Sequence, residues 1–198
     1  MDGTLTKAVI NFAKMRQRAN ILEGDILEVL GTLPVQERVR VEAIINEVED
    51  EALPKMQIND GVIELCNLLD EARVPRALLT RNTSKAVAYF HENHFSSMPP
   101  FAPAVARDFG LLPKPDPAAI LHICREWGVL PSETVMVGDS LQDDVISGNR
   151  AAASTILLDM DGTAEHHLMD GELKPAFIAN SMHDVAQILQ TEFVLRAH

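Results

Sequence analysis

From residue 57 onward, short apolar runs alternate with amphipathic helical stretches, and this alternation limits the possible folds more than any other feature. The runs are VPRALLT at 74–80, TVMV at 134–137 and TILL at 155–158, with a further short apolar stretch inside 101–107. Helical patterns cover 62–71, 84–93, 117–127, 144–153 and 183–195, the first announced by Asn59-Asp60-Gly61. Parallel strands need a crossover between them, and a helix is the usual one. The alternation therefore predicts an α/β fold with a doubly wound parallel sheet, TVMV being one of its buried strands.

Residues 7–53 break the pattern. They read as helical throughout, with Val9, Phe12, Ala13 and Arg16 as a first stripe. A short segment follows Asp25 and ends near Gly31. A longer helix begins at Pro34 and runs to about Glu51, with Val39, Val41, Ile44, Ile45 and Val48 as its apolar positions. Pro54 closes the block. The expected organisation is a core domain of residues 1–6 and 57–198 with a helical insert at 7–56.

The 198 residues suffice for one α/β core and a small accessory unit. Hydrophobic residues make up 46%, and no apolar run approaches the roughly 20 residues of a membrane span. Seventeen Lys+Arg against 29 Asp+Glu give a net charge of −12, which argues against a broad nucleic-acid interface. A small phosphate ligand needs only a local positive pocket, so it stays open. Cys66 and Cys124 lack CxxC spacing and are expected as reduced packing residues, which fits a reducing, cytoplasmic setting. Residues 1–6 show no targeting signal, although any such signal upstream of Met1 would be lost with its segment.

Parallel α/β sheets bind ligands beyond the carboxyl ends of their strands. Thr80-Arg81-Asn82 follow one apolar run, and Gly138-Asp139-Ser140 with Asp143-Asp144 follow another. Lys114 lies between them in PKPDP, and MDGTLT opens the chain. A hydroxyl, a lysine and several carboxylates at strand ends make a site for a phosphate and a hard divalent cation. Taken singly, each residue has a plainer explanation: Asp139 in a turn, Lys114 as surface charge, Thr80 as a strand end, Asp143 or Asp144 as a first-turn acid.

In order, MDGTLT, LLTRN, KPDP and VMVGDSLQDD resemble the four motifs of the haloacid dehalogenase superfamily across nearly the whole chain. The helical insert is similar to the cap of the subfamily that includes phosphoglycolate phosphatase. GDSLQDDV, GNRAA and LLTRN look most like uncharacterised plant-type members. The resemblance implies a Mg²⁺-dependent phosphatase acting on a small phosphorylated metabolite through an aspartyl-phosphate. It makes Asp2 the general acid/base, with a backbone carbonyl that meets the metal. Thr80 becomes the phosphate-binding hydroxyl, with Arg81 and Asn82 able to touch substrate. Lys114 becomes the lysine that offsets phosphoryl charge, and Asp139 a Mg²⁺ ligand. The second acid is Asp143 or Asp144. Dehalogenation fits poorly, because that branch lacks the acid/base that Asp2 matches.

The departure lies at the first motif. The family's nucleophilic aspartate stands two residues before the position of Asp2, where Met1 fills the intervening place and nothing precedes it. The apolar strand that leads into this motif lies centrally in family members. Without it, its neighbours keep unpaired backbone groups at about 1–3 kcal/mol each if buried, against a total stability of about 5–15 kcal/mol. A truncated or wrongly started sequence is the expectation, with the chain as given inactive; the rival is an inactive binding or regulatory protein. Asp159-Met160-Asp161-Gly162-Thr163 repeats the first-motif string but follows the wrong strand, and is expected to be a decoy. His166, His167 and His183 are expected on the surface, and Trp127 in the core.

Overall fold

The structure is a computed structural model that describes residues 1–164 and 169–196. The expectation for His166 and His167 lies outside the described residues. The chain divides into two compact units, residues 1–7 with 58–198, and residues 8–57.

The smaller unit contains α1 (Phe12–Ala19), α2 (Ile26–Thr32) and α3 (Val35–Ala52). Asn11 caps α1 by accepting from the Lys14 amide, and Asp25 caps α2 by accepting from the Leu27 and Glu28 amides. Met15, Ala19, Ile26, Val41, Ile45 and Val48 form the core. The helical block is thus interrupted, and two expected apolar positions fall outside. Phe12 is 55% exposed and Val39 62% exposed. The helix starts at Phe12 rather than near Lys7, which sets its buried phase to Met15 and Ala19. On α3 the spacing of Val41, Ile45, Val48 and Ala52 defines one face that excludes Val39.

The larger unit is α/β. Its elements are α4 (Val62–Glu71), β1 (Leu78–Leu79), α5 (Ser84–His94), β2 (Ala104–Val105), α6 (Ala118–Trp127), β3 (Val135–Gly138), α7 (Ile146–Ala151), β4 (Ser154–Leu158), β5 (Phe177–Ala179) and α8 (Met182–Glu192). Every strand pair is parallel. The strands fall into two sheets, β1-β2 and β3-β4-β5. The α/β class with parallel strands therefore holds, but the sheet is divided between β1 and β3.

Several boundaries move for local reasons. The run at 74–80 forms only a two-residue strand: the Val74 amide closes α4 by bonding the Leu69 carbonyl, and Pro75 has no amide to give. Val135, Met136 and Val137, expected to be buried, are each half-buried. The helix expected from Asp144 begins at Ile146, preceded by a π-helical turn at Leu141–Val145. That turn lets the amides of both Asp144 and Val145 bond the Ser140 carbonyl. Strand β5 was not anticipated; it is a three-residue run just before Ser181, whose hydroxyl caps α8.

Arg76 anchors the approach to β1. It is buried, pairs with Asp70, donates to the Pro99 carbonyl at 2.7 Å, and lies over the rings of Phe95 and Phe101. Cys66 and Cys124 are free and buried. Burial pushes the Cys66 thiol up to about 11. Trp127 is half-buried, its indole N–H donating to the Ala102 carbonyl at 3.0 Å. His183 is exposed.

Candidate active site

The chain's first residues fold into a tight loop. The Met1 carbonyl accepts the amides of Thr4, Leu5 and Thr6, and Gly3 donates to the Thr6 carbonyl at 2.7 Å. Gly3 has φ +76°, a left-handed conformation, and a Cβ there would run into the Asp139 carboxylate. Asn59 holds the loop from below: its side chain donates to the Thr4 carbonyl at 2.7 Å and its amide to the Leu5 carbonyl at 2.9 Å. Asn59 thus serves this loop, and α4 begins at Gly61 without a side-chain cap.

Four stretches far apart in sequence meet at this loop. Asp2 accepts from the Thr6 hydroxyl at 2.8 Å and from the Asn82 amide group at 3.1 Å. Asp139 accepts from the Thr4 hydroxyl at 2.5 Å. Arg81 donates to Asp143 at 3.1 Å, and Lys114 donates to Asp144 at 2.5 Å. The Ser140 amide also donates to Asp144, at 3.1 Å. Thr80 is buried, and its hydroxyl accepts the Asn82 amide at 3.1 Å. A hydroxyl that accepts still has its proton to donate.

Elements position each group. Thr80 follows β1 directly, and Asp139 follows β3 directly. Asp139 is exposed while Asp144 is buried. The π-turn places Asp143 and Asp144 consecutively yet gives each its own cation, and Ser140 caps that turn by accepting the Asp143 amide at 3.1 Å. A Cβ on Gly138 would collide with the Asp144 carboxylate, so this approach requires glycine.

The Met1 amino group sits among these charges. Burial drives it below its ordinary range, and Lys114 pushes the same way, while Asp144, Asp2 and Asp139 oppose them. The donor set is all oxygen, which in kind fits a hard divalent cation. Among the described residues no three His, Cys, Asp or Glu side chains converge on one position. Mg²⁺ keeps several waters and needs only one or two protein carboxylates.

The sequence assigns no role of their own to Thr4, Thr6 and Ser140, although they stand in the opening motif and in the strand-end run Gly138-Asp139-Ser140, and it reads Asn59 as part of a helix start. Asp159 accepts the amides of Thr163 and Ala164 at 2.9 and 3.2 Å, so its carboxylate closes its own loop after β4.

A sequence model of the family described as haloacid dehalogenase-like hydrolase matches residues 1–152. A haloacid dehalogenase-like hydrolase domain-containing protein of Arabidopsis thaliana is 38% identical over 209 residues, covering 98% of this chain and 83% of that protein. A solved hydrolase from Pseudomonas syringae has a TM-score of 0.79 at 19% identity, covering 98% of this chain and 96% of the other. A predicted phosphoglycolate phosphatase from Haemophilus somnus has a TM-score of 0.73 at 17% identity, covering 96% and 95%. With its motifs in order on a parallel α/β unit, this chain belongs to the haloacid dehalogenase-like hydrolase family.

Proposed function

We propose that the site serves Mg²⁺-dependent hydrolysis of a small phosphate monoester, through an aspartyl-phosphate formed on a carboxylate supplied immediately before Met1. The observation that supports it is the closed network joining residues 1–6, 80–82, 114 and 139–144. Asp139, with the Asp2 backbone carbonyl and Asp143, would hold Mg²⁺, which when bound offsets charge on the phosphoryl oxygens. Thr80 donates its hydroxyl proton to a phosphate oxygen. Lys114, held by Asp144, offsets negative charge beside it. Asp2, oriented by Thr6 and Asn82, gives a proton to the departing alcohol oxygen as the aspartyl-phosphate forms. It then takes a proton from the water that attacks phosphorus, which releases inorganic phosphate and regenerates both carboxyl groups.

The test compares the chain as given with one extended by about eight residues, an apolar strand ending in Asp. The given chain should cleave p-nitrophenyl phosphate no faster than buffer. The extended chain should turn over with Mg²⁺, yield an acid-stable phosphorylated protein, and lose activity with Asp2→Asn. A folded, extended chain without turnover overturns the proposal.

A second reading, phosphate binding without turnover, draws on buried Thr80 and Lys114, a hydroxyl and an ammonium that can hold an anion whether or not a nucleophile stands beside them. Calorimetric binding of inorganic phosphate together with an inactive extended chain would select it.

A further inference from the structure

Asp2 accepts a hydrogen bond on each carboxylate oxygen. Oδ1 takes the Thr6 hydroxyl of its own loop, and Oδ2 takes the Asn82 side chain at 3.1 Å. A carboxylate held by one oxygen turns easily about its Cβ–Cγ bond, whereas donors on both oxygens fix its plane. Where Asp2 points therefore depends on where Asn82 is held.

The sheet gives Asn82 little support. Strands β1 and β2 pair over Leu78–Leu79 and Ala104–Val105 alone, and the Thr80 amide then donates to the Val105 carbonyl at 3.0 Å. Beyond that point the 3-10 turn Arg107–Phe109 continues the connection. The Arg107 amide donates to the Asn82 carbonyl at 2.8 Å. The Asp108 carboxylate accepts the Ser84 amide at 2.9 Å and the Ser84 hydroxyl at 2.5 Å. That hydroxyl holds the Asp108 carboxyl below its usual range, so it stays an ionised acceptor at neutral pH.

An acid beside a helix start can serve the helix alone. Two observations point further. Helix α5 already has its own cap, Thr83, whose hydroxyl accepts the Ala86 amide at 3.3 Å. Asp108 comes from another loop, 24 residues along the chain from Ser84, and adjoins the residue that holds the Asn82 carbonyl. Its bonds tie the turn after β2 to the turn after β1.

We propose that Asp108 is a positioning residue: it clamps Ser84 to the turn after β2, which holds Asn82 in place, and Asn82 aims the Asp2 carboxylate. What Asp2 then does rests on the hydrolytic reading; how it is aimed does not. Asp108 itself is exposed and lies outside the network around Asp2.

The deciding measurement uses the full chain as it stands and needs no turnover. NMR follows hydrogen exchange of the Asn82 side-chain amide and the Arg107 backbone amide, and the Asp2 carboxyl carbon signal at fixed pH. Asp108→Ala should speed both exchanges about tenfold and move the Asp2 signal in the same direction as Asn82→Ala does. Asp108→Asn, whose carbonyl and amide can still bond the Ser84 amide and hydroxyl, should restore all three. Ser181→Ala removes the cap of α8 and should lower stability without moving any of them. In the strand-extended chain, Asp108→Ala should lower kcat about tenfold with KM little changed, and should cost nothing further once Asn82 is Ala. Exchange and carbon signals unmoved by Asp108→Ala, or moved as much by Ser181→Ala, overturn the proposal, as does additive loss of kcat in the double variant. If the extended chain does not turn over, the hydrolytic reading falls, and the exchange rates still decide the clamp.

Discussion

Lys114→Met tests how the site is held together, because the two ion pairs around it differ mainly in burial. The Lys114 and Asp144 side chains are 8% and 7% exposed, with Nζ 2.5 Å from Oδ1. Arg81 and Asp143 are 27% and 24% exposed at 3.1 Å. Removing one partner of a buried pair strands the other charge away from water, at about 3–5 kcal/mol. Asp144 keeps the Ser140 amide, which favours the lower end of that range. Lys114→Met should therefore cost about 3 kcal/mol. Lys114→Met with Asp144→Asn leaves no buried charge and should recover about 2 kcal/mol of the summed single effects. The Arg81–Asp143 pair should couple by about 1 kcal/mol or less. Urea unfolding followed at Trp127 reads the unit that contains the site. At 1 M salt, where the screening length is about 3 Å, the Arg81 coupling should vanish and the Lys114 coupling persist. A cost below about 1 kcal/mol for Lys114→Met, or strict additivity with Asp144→Asn, would refute the buried-pair reasoning.

Gly3→Ala should destabilise the opening loop by about 1–3 kcal/mol, from a left-handed backbone and collision with Asp139, and weaken Mg²⁺ binding in calorimetry of the strand-extended chain. His91 is held below its ordinary pKa by burial, with Arg76 pushing the same way, and its Nε2 accepts the Phe101 amide at 3.2 Å. The unfolded chain then binds the extra proton first as pH falls. This contribution is complete above about pH 6.5 and is lost below it, through the folded value, so thermal scans from pH 7.5 to 5 should slope less in His91→Gln. Asp159→Asn with Asp161→Asn should leave turnover of the extended chain within a few fold. Phosphate found on Asp159 by mass spectrometry would show that its loop takes part in the chemistry.

Helix α4 was legible at both ends because Gly61 starts it and its apolar residues repeat at helical spacing. Strand β1 was less so, because strand length depends on a partner edge that no local pattern records. Thr80 and Asp139 could be located by the strand-end rule, since side chains there project beyond the sheet whatever the details. Their partners could not. Thr4 and Thr6 look like ordinary loop residues until a left-handed Gly3 folds them toward Asp139 and Asp2. The π-turn escaped notice because 3.6-residue periodicity predicts an α-helix wherever acids precede an amphipathic stretch, and one additional residue in a turn has no compositional sign. Val135 to Val137 read as a buried run because their side chains are apolar, although burial depends on what lies beside them.

The wide turn at Leu141–Val145 bears on how this chain can change over time. It holds one residue more than an α-turn, while α7 behind it is fixed: Ser147 bonds the Asp144 carbonyl, and Gly148 lies too close to Thr155 to admit a side chain. Deleting Leu141 or Gln142 would tighten the turn to ordinary pitch without disturbing α7. Asp144 would keep Lys114, and Asp143 would swing away from Arg81. One deleted codon, outside any strand, would thus break the Arg81–Asp143 pair and redraw the charge pattern around this turn, giving a lineage a short route to a different surface beside β3 without rebuilding its core.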